Sequence, residues 1–224
     1  MAPLFGPTGL GSVPTAQTVP SGTFELSGAY AWVDADPVNV DLGPKAGVVY
    51  GFNRGEIGAG YYREKQDFEG EEFKFDYLTL HGKYRVFESQ TADINAVSIG
   101  AHYLDYRDFS GSTLSLYAAA QSTLVRNKDG NERWRGHFGA RVQRSDFQEQ
   151  DETKFRPFFG FEYIANPDWR FATDFAPSRA QFDSTMSLAA RYQKPGGNLG
   201  GQIGIGRLGG DPQLFASLTL RFGN

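Results

Sequence analysis

Three histidines, His81, His102 and His137, are the side chains best suited to moving protons near neutral pH. For hydrolysis, a histidine must activate a serine within hydrogen-bonding reach and be oriented by a third group. No Gly-x-Ser-x-Gly elbow is present. Cysteine is absent, which excludes a thiolate nucleophile, a thiolate zinc site and a disulfide scaffold. Carboxylates gather at Asp34, Asp36 and Asp41, and again at Asp67, Glu69, Glu71 and Glu72. They could hold Ca²⁺ or bridge to lipopolysaccharide through cations, but their spacing matches no EF-hand loop. A solvated acidic rim is the simpler reading. Gly6, Gly9 and Gly11 form a Gly-x-x-Gly-x-Gly run with no strand before it and no helix after it, so no phosphate loop is expected. The residues therefore point to no enzyme, no metal and no cofactor.

The chemistry that remains is carried by charge. The chain has 22 basic and 26 acidic residues, for a net charge of −4, which argues against general nucleic-acid binding. Its charged residues fall inside segments that otherwise read as strands. Gly and Pro recur, at 28 and 11 copies, and long runs of helix formers at 3.6 spacing are missing. Period-2 alternation between turn signals is abundant instead. It marks about twelve segments, at 23–33, 45–52, 56–63, 74–87, 94–105, 113–125, 133–144, 155–164, 169–176, 185–193, 199–207 and 214–222. Most have about the length, ~9–11 residues, that a tilted strand needs to cross a bilayer. No run of about 18 apolar residues exists, so no membrane-spanning helix is expected.

Each segment has one bulky apolar face and one face of small, polar or charged residues. In a soluble barrel the apolar face would point inward. Here that face carries aromatic residues near its ends, at Trp32, Trp134, Trp169, Tyr103, Tyr163, Tyr192 and Phe222. Such residues are expected at the two membrane interfaces. The opposite face bears Glu25, His81, Lys83, His102, Arg135, His137, Arg141, Arg156, Glu162, Arg170, Asp174, Arg191 and Arg221, set among Gly and Ala. These thirteen are the candidate pore-lining residues, and isolated charges of this kind fit a wet lumen with paired ions. The histidines fall on that inner face, the wrong side for a lipid-hydrolysing enzyme. The small residues beside them are expected to leave room for water. The fold class is thus all-β: a closed antiparallel up-and-down transmembrane β-barrel of about twelve strands, because only closure removes unpaired edges in lipid. A soluble β-sandwich is the alternative. It would bring Leu116, Phe138, Phe161 and Leu218 together in a dry centre.

The connections at 34–43, 64–72, 106–111, 145–153, 177–184 and 209–213 are mostly long and acidic and should face outward. Those at 53–55, 88–93, 126–132, 165–168 and 194–198 are mostly shorter and should face the periplasm. The chain divides into an extended segment, 1–22, and a barrel, 23–224. Pro7, Pro14 and Pro20 keep the first segment from being a spanning strand. It is either a periplasmic tail or pad on the lower rim, or a plug in the lumen. Its first ten residues lack the basic start and apolar run of a signal peptide. The reading favoured is a mature chain with a start Met, over a cytoplasmic protein.

Several pieces resemble a known family. The start, Phe5-Gly-Pro-Thr-Gly-Leu-Gly-Ser-Val-Pro-Thr-Ala16 and then Val19-Pro-Ser-Gly22, is similar to the opening of YjbH-like outer-membrane β-barrel proteins. Tyr50-Gly-Phe-Asn-Arg-Gly-Glu-Ile-Gly-Ala-Gly60 resembles their second hairpin, and Phe158-Phe-Gly-Phe-Glu-Tyr163 with Asn166-Pro167 a later one. The terminal Leu214-Phe-Ala-Ser-Leu-Thr-Leu-Arg-Phe222 is similar to the signal read by the barrel assembly machinery. The resemblance implies the bacterial outer membrane as location, with lipid, lipopolysaccharide and that machinery as partners, and for some members a link to exopolysaccharide. It implies no transported substrate.

Two functions follow. One is a porin-like channel for small polar solutes or saccharides. The arginines of the later strands give it a mild anion preference or let it cradle an acidic sugar chain. The other is a non-conducting, partner-binding barrel of an envelope or exopolysaccharide complex.

Overall fold

The computed structural model describes residues 13–35, 38–68, 71–89, 92–108, 110–147, 150–177, 184–208 and 211–223. The Gly6–Gly11 run, Asp36, Glu69 and most of the 177–184 connection lie outside these residues. Twelve strands follow in order: β1 (Phe24–Ala35), β2 (Val38–Phe52), β3 (Gly55–Phe68), β4 (Glu71–Glu88), β5 (Ile94–Tyr106), β6 (Gly111–Arg126), β7 (Glu132–Phe147), β8 (Gln150–Ile164), β9 (Trp169–Ala176), β10 (Thr185–Gln193), β11 (Leu199–Leu208) and β12 (Asp211–Phe222). Each pairs antiparallel with its sequence neighbours, and β1 closes on β12 from Phe24↔Phe222 to Val33↔Gln213. Closure supplies every strand with two partners, the condition for β-structure in hydrocarbon.

Period-2 alternation fixes which side chains face out. Leu116, Phe138, Phe161 and Leu218 are 54, 37, 47 and 65% exposed on the outer surface, so the dry-centre alternative fails. On β1 the outer face runs Phe24, Leu26, Gly28, Tyr30, Trp32 before it meets Asp34. Nine residues at ~3.3 Å rise, tilted by ~40°, cover roughly 20 Å, close to the ~25 Å apolar band of a membrane barrel. Aromatic pairs ring the lower end, where the short turns lie: Trp134 with Tyr163 at 5.0 Å, Trp169 with Tyr192 at 5.2 Å, and Phe24 with Tyr50 at 4.6 Å between centroids. Tyr30, Trp32, Tyr61 and Tyr103 lie near the upper end of the band. The seven predicted interface aromatics all sit on the outer face.

Above the band the outer face turns ionic. Arg63 pairs with Asp76 at 2.7 Å, and Glu72 is held between Lys65 and Lys74 at 2.6 Å each. Here the sequence expectation needs correction. Residues 34–35, 38–43, 64–68, 71–72, 145–147, 150–153 and 211–213 were expected in loops and are strand. Their polar residues read as turn signals because the outer face meets water once the strand has left the lipid, even where the inner face still packs, as at Leu42. Gly43 and Pro44 form the register shift opposite Tyr30 at which β2 departs from the band. At the lower end, Asn53 and Arg54 make a two-residue turn with Asn53 at φ 39°, a left-handed conformation that asparagine tolerates.

The lumen is fuller than the small residues suggested. Phe158 lies over Gly139, Phe215 over Gly204, Tyr117 over Gly100 and His81 over Gly58; a Cβ at any of these glycines would overlap the ring. Those glycines make room for rings rather than water. Three apolar clusters occupy the middle and upper lumen. They are Val13, Tyr117, Ala119, Phe158, Ala172 and Ala176; Ala31, Val33, Leu42, Ala189 and Phe215; and Tyr62, Tyr77 and Leu104.

Candidate functional site

Thirteen inward-pointing strand positions were predicted to line the lumen, and the structure places all thirteen on the inner face. It gathers them into distinct groups. Glu162, fully buried on β8, accepts from Arg135 Nη1 at 3.0 Å and from Arg191 Nη1 at 3.1 Å, with His137 Nε2 at 3.0 Å. Arg135 also contacts Glu132. Glu25 on β1 accepts from Arg221 Nε on β12 at 2.7 Å, an ion pair across the seam that closes the barrel. Asp174 accepts from Ser187 Oγ at 2.8 Å. Two pairs of like charge stand directly opposite each other: Arg141 with Arg156, and Arg170 with Arg191. Directly opposed like charges destabilise a sheet, and in the second pair Glu162 supplies Arg191 with a counter-charge.

Lys83, His81 and His102 belong to a second group on the facing wall. His81 stands opposite His102. Lys83 Nζ lies 3.2 Å from Glu56 Oε1, and His81 Nε2 lies 3.8 Å from the same oxygen. All three histidines face away from lipid. Among the described residues, no group of three or more His, Asp or Glu could hold a metal ion.

The second group holds the N-terminal segment. Of the two placements left open for that segment, the described part takes the lumen over 13–19 and the lower rim over 20–22. Val13, Thr15, Ala16 and Val19 are buried inside the barrel. The Val19 amide donates to Glu56 Oε2 at 2.7 Å, Ser98 Oγ donates to the Ala16 carbonyl at 2.8 Å, and Arg85 Nη2 donates to Thr18 Oγ1 at 2.6 Å. Lys83 Nζ reaches the Thr15 carbonyl at 3.4 Å, and Gln17 Nε2 donates to Gln121 Oε1 at 3.3 Å. An irregular backbone at membrane depth is tolerated only where its polar groups find such partners. At the lower rim the segment crosses β2 so closely that a Cβ on Gly51 would overlap the Pro20 carbonyl oxygen. It then enters β1.

Glu56, Arg85, Ser98 and Gln121 were not singled out from the sequence. Glu56 was visible as a lone carboxylate in phase with Gly58 and Gly60 on the inner face of β3. Its partner is an amide 37 residues away, which no local pattern reveals. The insert divides the lower lumen. On the β4–β7 side a cavity of about 740 Å³ is bounded by Gln17, Arg85, Glu88, Asn95 and Gln121. On the other side a cavity of about 330 Å³ lies against Arg135, Arg170, Arg191 and Arg221.

No family model and no curated protein matches the sequence. Solved structures do match the shape. The KdgM porin superposes with a TM-score of 0.59 at 10% identity, over 88% of this chain and 99% of that one. The translocator domain of the autotransporter NalP from Neisseria meningitidis gives 0.57 at 10% identity, over 93% and 91%. The NanC porin gives 0.51 at 10% identity, over 88% and 98%. At such identity the likeness establishes the fold: a closed, up-and-down, membrane-type β-barrel.

Proposed function

We propose that this chain is a porin-like barrel of the bacterial outer membrane that passes small polar solutes or saccharides, with its N-terminal segment as a plug. The observation that carries the reading is the division of labour inside the lumen. One wall is engaged by the insert, and the other presents arginines to a solvent-sized space. The similar KdgM porin also has a structure in complex with disordered oligogalacturonate, which supports a saccharide as solute. The fold and the apolar band support a membrane location, and barrels of this kind reach it through the barrel assembly machinery. The acidic strand extensions above the band suit cation-bridged contact with lipopolysaccharide, and the YjbH-like pattern at the chain start supports a role beside exopolysaccharide.

The hydrogen-bonded insert also favours a second reading, a closed barrel that serves a partner in an envelope or polysaccharide complex. Planar-bilayer recording separates the two. The full chain should give small or intermittent steps. Deletion of residues 2–21 should give large, steady steps whose reversal potential shows anion preference. If the deletion variant folds, by its heat-modifiable migration in a gel, and stays silent, the channel reading falls and the partner-binding barrel stands.

A further inference from the structure

The 330 Å³ cavity is at the lower end of the roughly 300–1,000 Å³ range of small-molecule sites. Its lining divides into two chemistries. Arg170, Arg191 and Arg221 supply cationic forks, with Arg85, Arg135 and Lys45 beside them. Glu25 is the one carboxylate among the described lining residues. The other side is neutral and rich in hydrogen-bonding groups: Ser27, Gln202, Ser217 and Thr219, with Gln17 and Thr18 of the insert.

Most of the cations have internal acceptors. Arg221 donates to Glu25, Arg191 to Glu162, Arg135 to Glu162 and Glu132, and Arg85 to Glu88. Arg170 differs. It stands directly opposite Arg191, and its Nε is buried with no hydrogen-bond partner. Gln193, two residues beyond Arg191 on the same inner face, likewise has its Nε2 buried with no partner, and it lines the same cavity. Two donors without acceptors and an opposed pair of arginines therefore meet at one cavity. Six cations around one carboxylate leave the described lining of this cavity net positive, and an arginine fork suits a carboxylate.

We propose that this cavity binds an acidic sugar of the uronate class. Arg170 and Gln193 take the carboxylate, and the Ser27, Gln202, Ser217 and Thr219 side takes the hydroxyls. The proposal rests on the saccharide reading above and names the solute. A bare inorganic anion would satisfy Arg170 and leave the hydroxyl-binding side unused. A neutral sugar would bring no negative charge to Arg170, which stands opposite Arg191.

Titration calorimetry of the full chain in detergent, with glucuronate, glucose and inorganic phosphate as probes, tests it. Glucuronate should bind saturably, at least tenfold more tightly than either of the others. Arg170→Gln should weaken glucuronate tenfold or more while keeping heat-modifiable migration, because the substitution removes an opposed like charge. Absence of glucuronate binding, equal binding of phosphate or of glucose, or an Arg170→Gln variant that binds glucuronate as the parent does would each overturn the proposal. Binding in detergent is independent of conduction. A barrel that binds glucuronate but never conducts overturns the channel reading alone, and a deletion variant that conducts in a protein without glucuronate binding overturns the uronate site alone.

Discussion

Two buried carboxylates, Glu56 on β3 and Glu162 on β8, face each other across the lumen's lower half and do different work. Glu56 accepts one backbone amide from the insert and pairs with one lysine. Glu162 accepts from two arginines and contacts a histidine, all of them on strands of the barrel itself. The β3–β6 wall is finished by a segment from elsewhere in the chain. The β7–β12 wall is finished by its own strands, with cationic charge left over. A polar group buried in a membrane barrel must be satisfied, and the identity of its partner decides whether it acts as a latch or as a lining.

Breaking the lining should have the larger effect on stability. Glu162→Gln leaves Arg135 and Arg191 short of a counter-charge, a loss on the order of 3–5 kcal/mol for one broken buried network. Urea unfolding followed by heat-modifiable migration should show that loss with the insert still seated. A variant as stable as the parent would mean that the arginines find other acceptors and that the wall is not held by Glu162.

Breaking the latch should cost less stability and more closure. Glu56→Gln keeps an acceptor for the Val19 amide but uncouples Lys83, so a loss of about 3 kcal/mol, at the low end for such pairs, is expected. In planar bilayers this variant should flicker open far more often than Glu162→Gln. If the two variants open alike, the contrast between the walls disappears.

The smallest effect lies above the membrane. The Arg63 guanidinium holds the Asp76 carboxyl down at about 2, and the Lys65 and Lys74 ammonium groups hold Glu72 at about 2. Both carboxyls are depressed on folding, so the stability they lend is present above the ordinary carboxylate range near pH 4. It fades as the pH falls through about 2. Pepsin should leave the β3–β4 extension intact at pH 3.5 and cut it near pH 1.5. Asp76→Asn and Glu72→Gln should permit cutting at both. An extension cut equally at both pH values in the parent would show that these pairs do not order it.

The twelve strands and the side of each inner residue were legible in the sequence, because a two-residue period assigns faces without knowledge of the partner strand. The band was legible for the same reason: Leu116, Phe138 and Trp134 could only meet lipid once the charged positions shared the other face. The strand extensions were not legible. Lys65, Asp67 and Glu72 alternate nothing apolar with polar, since their outer face meets water, and so they look like turn.

What fills the lumen was also hidden. Tyr117 over Gly100, Phe158 over Gly139 and Gln17 against Gln121 are contacts made by closing the barrel around its own beginning. The sequence by itself determined which surface meets hydrocarbon, since that follows from local alternation and the cost of charge in lipid. Only the tertiary structure decided that one wall holds the insert and the other keeps its arginines opposed. That choice depends on residues 104 positions apart, as Gln17 and Gln121 are, or 196, as Glu25 and Arg221 are, meeting inside a closed sheet.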